Sequence, residues 1–179
     1  MQRRQFLFTL SGIGLALTAR SYAAPIGERV AIIQFSDDGK ALGSATLSKI
    51  NDEAEWKKRL SPLAYQVTRE QGTELAYSQP GYNKLEPGLY RCICCDNALF
   101  DAKTKFDSRT GWPSFWQPIA AENVREIADN LLGMTRIEVQ CTLCDAHLGH
   151  VFDDGPKPIG LRYCMNAVAM RFVPQAKKA

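Results

Sequence analysis

Cys92-Ile93-Cys94-Cys95 and Cys141-Thr142-Leu143-Cys144 are the stretches whose reading decides the fold. Each is a C-x-x-C knuckle. Two knuckles well apart in sequence are the arrangement that closes a tetrahedral zinc site with four thiolates, here Cys92, Cys95, Cys141 and Cys144. From Thr73 onward, Gly81, Pro87-Gly88, Gly111, Pro113, Pro118, Gly155-Pro156 and Gly160 punctuate short apolar or aromatic runs, which predicts a β-rich domain with long loops. Arg136 to Gln140 and Ala167 to Val173 both alternate like strands. The second run would put Ala167, Ala169 and Arg171 on one face and Val168, Met170 and Phe172 on the other. Six cysteines also admit three disulfides, the natural alternative in an oxidising compartment. The knuckle spacing favours zinc.

Working outward, Cys164 in Leu161-Arg162-Tyr163-Cys164-Met165-Asn166 is the cysteine that the metal pattern leaves over. Residues two apart on a strand share a face, so the Arg162 guanidinium is placed to hold this thiol as the reactive thiolate. A metal-stapled scaffold with one activated thiol reads as a thiol enzyme. Both histidines of the chain fall in Ala146-His147-Leu148-Gly149-His150. They read as acid–base or substrate-orienting groups, since four thiolates already fill a structural zinc site; hydrogen-bonded structural histidines are the alternative. Gly111-Trp112-Pro113-Ser114-Phe115-Trp116 is an aromatic loop that serves equally as core or as the rigid wall of a small apolar pocket.

Toward the N-terminus, Val30 to Phe35, the turn Ser36-Asp37-Asp38-Gly39 and Ala41 to Leu47 predict a hairpin. Asn51 is the expected cap of a short helix bearing Trp56 and Leu60. Ser61-Pro62 starts a second helix, with Leu63 and Val67 on its apolar face and Gly72 at its end. Both helices read as packing elements. Before them, Arg3-Arg4-Gln5-Phe6-Leu7, an apolar run to about Ala19 and Ser21-Tyr22-Ala23 form an export signal over residues 1–23. The run is too short for a permanent membrane anchor. The paired arginines suggest the twin-arginine route to the periplasm, with an ordinary secretory signal as the alternative.

The chain carries 22 basic residues, of which Arg3, Arg4 and Arg20 belong to the leader, so 19 remain against 19 acidic ones. A near-neutral domain offers no electrostatic footprint for nucleic acid. The remaining length suits one domain with a real core.

Gly72-Thr73-Glu74, the two knuckles, Lys105-Phe106-Asp107-Ser108, Gly111-Trp112-Pro113-Ser114-Phe115, the run from Ala146 to Pro156 and the run from Gly160 to Asn166 together resemble the B-type methionine sulfoxide reductases. The match runs in order, at similar spacing, from about Val30 to Pro174. The resemblance implies a mainly β fold of two antiparallel sheets, β-tent-like, with short N-terminal helices and a structural four-cysteine zinc site. It divides the chain into the leader, an N-terminal hairpin or extension over 24–46 and a reductase domain over 47–174. It further implies reduction of the R epimer of methionine sulfoxide, usually peptide-bound, in oxidised proteins. Cys164 would attack the sulfoxide sulfur and keep its oxygen as a sulfenic acid. Arg162 would favour the thiolate, and His147 and His150 would donate to the oxygen directly or through water. Asn166 would fix the polar network, Trp112 would receive the S-methyl group, and Phe115 belongs to the same substrate wall. The usual resolving cysteines are replaced by Thr110 and Ser78, and Cys94 reads as a bystander. The expected reductant is therefore an external thiol, thioredoxin-like or small. Two rivals from other classes are a zinc-ribbon interaction module with Cys164 merely in its core, and a disulfide-rich secreted domain.

Overall fold

The structure is a computed structural model describing residues 27–80, 85–130 and 135–175; the leader expected over 1–23 lies outside the described residues. β-branched Val30, Ile32 and Ile33 favour extended backbone, and β1 (Arg29–Phe35) pairs antiparallel with β2 (Ala41–Ser48) across the 36–39 turn. This hairpin is a sheet by itself.

Two short helices follow. α1 (Glu53–Arg59) is capped by Asp52, whose Oδ1 accepts from the backbone N–H of Glu55 at 3.2 Å. The cap thus falls one residue later than Asn51, the residue expected from the sequence. α2 (Pro62–Glu70) starts at Ser61, whose hydroxyl accepts from the Ala64 N–H, with Pro62 in the first turn, where its missing N–H is tolerated. Left-handed Gln71 (φ 55°) closes the helix, one residue before the Gly72 expected to do so.

The rest is antiparallel β. A three-stranded sheet runs in the order β11 (Met170–Pro174), β3 (Gly88–Cys92), β4 (Ala98–Asp101). A six-stranded sheet runs β5 (Lys105–Phe106), β6 (Ser114–Phe115), β10 (Arg162–Met165), β9 (His147–Phe152), β8 (Arg136–Cys141), β7 (Val124–Asp129). The mainly β architecture with two principal antiparallel sheets and short helices agrees with expectation. Phe100 from one sheet stacks on Phe115 from the other, centroids 4.4 Å apart, and Tyr90 meets Phe115 edge-on at 4.9 Å. Such aromatic pairs add to area burial and fix how the sheets face each other.

Ala167 to Val173 is not one strand. Ala167–Ala169 form a 3₁₀ turn and the strand begins at Met170. The Glu74 carboxylate accepts from the N–H groups of Ala167 (2.7 Å) and Val168 (2.9 Å), taking donors that a strand ladder would have used. Among the described residues, no helix is long and apolar enough to cross a membrane.

Candidate active site

The knuckles are built alike. Each leaves a strand, β3 or β8, and turns back through an aspartate in the left-handed region, Asp96 (φ 67°) or Asp145 (φ 55°). The Asp96 N–H returns to the Cys92 carbonyl and the Asp145 N–H to the Cys141 carbonyl, both at 2.9 Å. Aspartate tolerates this conformation better than most residues, which is why the chain can bend so tightly here. The four sulfurs lie within 4.8 Å of one another, with Cys92–Cys144 at 3.6 Å and Cys95–Cys141 at 3.5 Å. A tetrahedron with metal–sulfur bonds of about 2.3 Å has edges of roughly 3.8 Å, so the donor set fits one metal ion. Cys94, in the middle of the first knuckle, is buried and outside this group. The helices also serve the knuckles: the Trp56 indole N–H donates to the Cys94 carbonyl (3.0 Å), and Arg69 donates to the Cys144 carbonyl (2.9 Å) while lying over the Trp56 ring.

The second centre forms across the middle of the large sheet. Cys164 on β10 is paired with His150 on β9 and Ser114 on β6, and His150 in turn with Glu138 on β8. Directly paired residues project from the same face, so one row carries a hydroxyl, the thiol, an imidazole and a carboxylate. Cys164 opens into a cavity of ≈ 160 Å³ with Trp112, Phe152, Thr73, His150 and Asn166 among its lining residues. Gly149 makes room beneath it: a Cβ there would sit 2.1 Å from the Cys164 carbonyl oxygen.

His147 and His150 are three apart, which on a regular strand puts them on opposite faces. The pairing shifts between Val139 and Gln140, where Val139 faces Gly149 but Gln140 faces His147. The extra residue, Leu148, is a β-bulge that turns His147 to the side of His150, with the two rings 5.5 Å apart. His147 donates or accepts at Nδ1 with Glu138 (2.6 Å), and His150 at Nε2 with Asp129 (2.9 Å), which also holds Arg136 (2.7 Å). Burial pushes the His147 imidazole below its ordinary pKa, with Glu138 opposing. His150 lines the Cys164 cavity. His147 instead lines an adjoining polar cavity of ≈ 460 Å³ that it shares with His150.

The thiol departs from expectation. Burial raises the Cys164 pKa; Arg162, Thr110 and Ser114 lower it, and burial wins. Arg162 is divided: its Nε and a terminal N–H donate to the two Asp154 oxygens at 2.8 Å each, and its guanidinium lies 4.4 Å over the Phe152 ring. An arginine two residues away therefore does not by itself make this thiol a resident thiolate. Thr110 Oγ1 lies 3.9 Å from Cys164 Sγ and joins Ser108 and Ser114 in a chain of hydroxyls.

Phe115 is a second correction. It is fully buried between the sheets, so its role is packing, and Phe152 is the phenylalanine that walls the cavity. Asn166 is buried with both ends used: Oδ1 accepts from the Glu74 N–H (3.0 Å) and Nδ2 donates to the Leu148 carbonyl (3.1 Å). The Glu74 carbonyl accepts from the Trp112 indole (3.2 Å). Glu74 thus ties Trp112, Asn166 and the 3₁₀ turn into one frame. Sequence reading gave it no role, nor Thr73, Asp129, Arg136, Glu138 or Phe152. The available signals were the presence of Thr73 and Glu74 in the Gly-Thr-Glu motif and of Phe152 in the run from Ala146 to Pro156.

Fold and site together define a β protein with four cysteines placed to hold a metal ion and one thiol facing a small cavity. The SelR domain profile matches residues 60–174. The peptide methionine sulfoxide reductase MsrB of Thioalkalivibrio sulfidiphilus is 52% identical over 124 residues, covering 69% of this chain and 90% of the relative. MsrB of Pseudomonas aeruginosa strain UCBPP-PA14 is 49% identical over 130 residues (72% and 98%). The chloroplastic peptide methionine sulfoxide reductase B1 of Arabidopsis thaliana is 55% identical over 120 residues, 66% of this chain but only 59% of that longer protein. The chain belongs to the SelR family of B-type peptide methionine sulfoxide reductases.

Proposed function

We propose that the protein reduces peptide-bound methionine-(R)-sulfoxide to methionine through Cys164. The observation that carries this is the Cys164 thiol opening into a cavity walled by Trp112 and Phe152, with His150, Thr73 and Asn166 alongside. An S-methyl group suits the aromatic side and the sulfoxide oxygen the polar one, an arrangement that separates the two epimers. Cys164 Sγ attacks the sulfoxide sulfur, and its oxygen passes to Sγ as the sulfur–oxygen bond to substrate breaks. Methionine leaves and Cys164 is left as the sulfenic acid. A thiol with a raised pKa carries its own proton to the reaction, and that proton can travel to the oxygen through the Thr110, Ser108 and Ser114 hydroxyls or through water held by the histidines. Arg162 eases the thiolate as it forms, and Asn166 holds the Gly-Thr-Glu segment in place.

Zinc is the metal that best suits Cys92, Cys95, Cys141 and Cys144, where it supplies a rigid tetrahedral junction. Recycling falls to an external thiol, thioredoxin-like or small. It condenses with the sulfenic acid, releasing water, and a second thiol frees Cys164. The substitutions at Thr110 and Ser78 support this. Residues 1–23 act as a twin-arginine signal, so the substrates are oxidised proteins of the cell envelope. Replacing Arg3 and Arg4 with lysine retains the precursor in the cytoplasm; unchanged periplasmic release argues for another route.

The deciding assay is turnover of separated R and S peptide sulfoxides with dithiothreitol by wild type and Cys164→Ser. R-only turnover that is lost in the mutant is expected. No turnover by metal-loaded wild type removes the reading. Mass spectrometry of the oxidised enzyme should show no internal disulfide, and a Cys94–Cys164 bridge as main product would overturn external recycling.

A further inference from the structure

We infer that Glu138 is a positioning residue for the reduction, fixing the tautomer of His147 so that its Nε2 is an acceptor in the polar cavity beside the thiol. The inference rests on the reductase reading for its consequence, but not for its geometry. Glu138 is 7% exposed and His147 3%, and they meet only through Nδ1 at 2.6 Å. A carboxylate oxygen this close to a ring nitrogen is the natural acceptor for its N–H, which assigns the hydrogen to Nδ1. The ring's other nitrogen, Nε2, is buried and has no hydrogen-bond partner among the described residues. Buried polar atoms are normally satisfied, so this orphan marks a place for a water or a substrate atom that donates to it. The adjoining ≈ 460 Å³ cavity, lined also by Gln71, Thr73, Arg136 and His150, has room for one.

The charged groups around the pair are Asp129 on β7 and Arg136 and Glu138 on β8, with His150 on β9. Asp129 meets His150 in the same way, through the ring Nε2 at 2.9 Å. Burial keeps His147 neutral near pH 7. A neutral ring held this way cannot itself donate to a sulfoxide oxygen. It can hold a water by one hydrogen, leaving that water's other hydrogen for the oxygen while Cys164 supplies the net proton. This replaces direct donation by His147 with water-borne donation.

Because the chain has only two histidines, ring-nitrogen NMR of histidine-labelled protein gives two spin systems, assigned with His147→Gln. Wild-type His147 is expected with Nδ1 protonated and Nε2 bare. In Glu138→Gln the amide can accept or donate, so the tautomer becomes mixed, and kcat falls about ten- to a hundredfold with KM little changed. Glu138→Asp, which keeps a carboxylate, restores part of both. Circular dichroism and metal content confirm that each variant is folded. A wild-type Nε2–H tautomer, an unchanged tautomer in Glu138→Gln, or an unchanged kcat with an altered tautomer each overturns the inference. Absence of wild-type turnover would remove the reductase reading instead, while the spectra would still uphold or overturn the tautomer assignment.

Discussion

At His147 stability meets the proposed chemistry. Its pKa is depressed in the fold by burial, so the folded protein resists a proton that the unfolded chain accepts near its ordinary value of about 6.5. Its contribution to stability is therefore fully present above that value and declines as the pH falls below it. Thermal melts between about pH 7 and pH 5 should show a shallower loss in His147→Gln than in wild type; equal slopes would mean that His147 is not the group titrating. Thr110 supports a second prediction. Its hydroxyl already lies 3.9 Å from the Cys164 sulfur, so Thr110→Cys places a thiol within reach of the sulfenic acid. After one turnover the variant should carry an internal disulfide, seen by mass as the loss of two hydrogens, and should accept electrons from reductants that attack disulfides. A persistent sulfenic acid in the variant would show that the two sulfurs cannot align.

At the scale of elements, strands β9 and β10 set the site. Gly149 is paired with Met165, and an added Cβ would also sit 2.9 Å from the Met165 Cα. Those contacts are backbone and cannot rotate away. Gly149→Ala should cost roughly 2 kcal/mol or more, read from urea unfolding, and should depress kcat by moving Cys164 relative to His150. Wild-type stability with normal kcat would mean that the strands part more easily than their packing suggests. The hairpin and both helices were legible from β-branched runs, turn residues and caps, because those signals act over a few residues. The errors were local. Asp52 displaced Asn51 as the cap, Gln71 took the left-handed position before Gly72, and a strand was read where Glu74 reaches across from another segment to bind the 167–168 amides.

Across the whole molecule, the four cysteines that could hold a metal ion join the two main sheets: Cys92 ends β3 of the small sheet with Cys95 just beyond it, and Cys141 ends β8 of the large one with Cys144 just beyond it. Removing the ion should loosen the sheets from each other as well as the knuckles. Elemental analysis should give one zinc per chain, and Cys141→Ser should lose it together with more than about 10 °C of Tm, as expected when a structural site worth several kcal/mol is lost. Retention of Tm without metal would assign the junction to the Phe100, Phe115 and Tyr90 packing instead.

The sequence by itself determined the four cysteines that could hold a metal ion, the leftover thiol, the histidine pair and the β-rich texture, because each is a matter of residue type at short spacing. Tertiary structure alone decided which residues share the Cys164 cavity. A bulge at Leu148 reversed the face of His147, burial outweighed Arg162 in setting the thiol, and packing drew Phe115 into the core and put Phe152 at the wall. Strand register and depth of burial are properties of partners distant along the chain, and no local pattern encodes them.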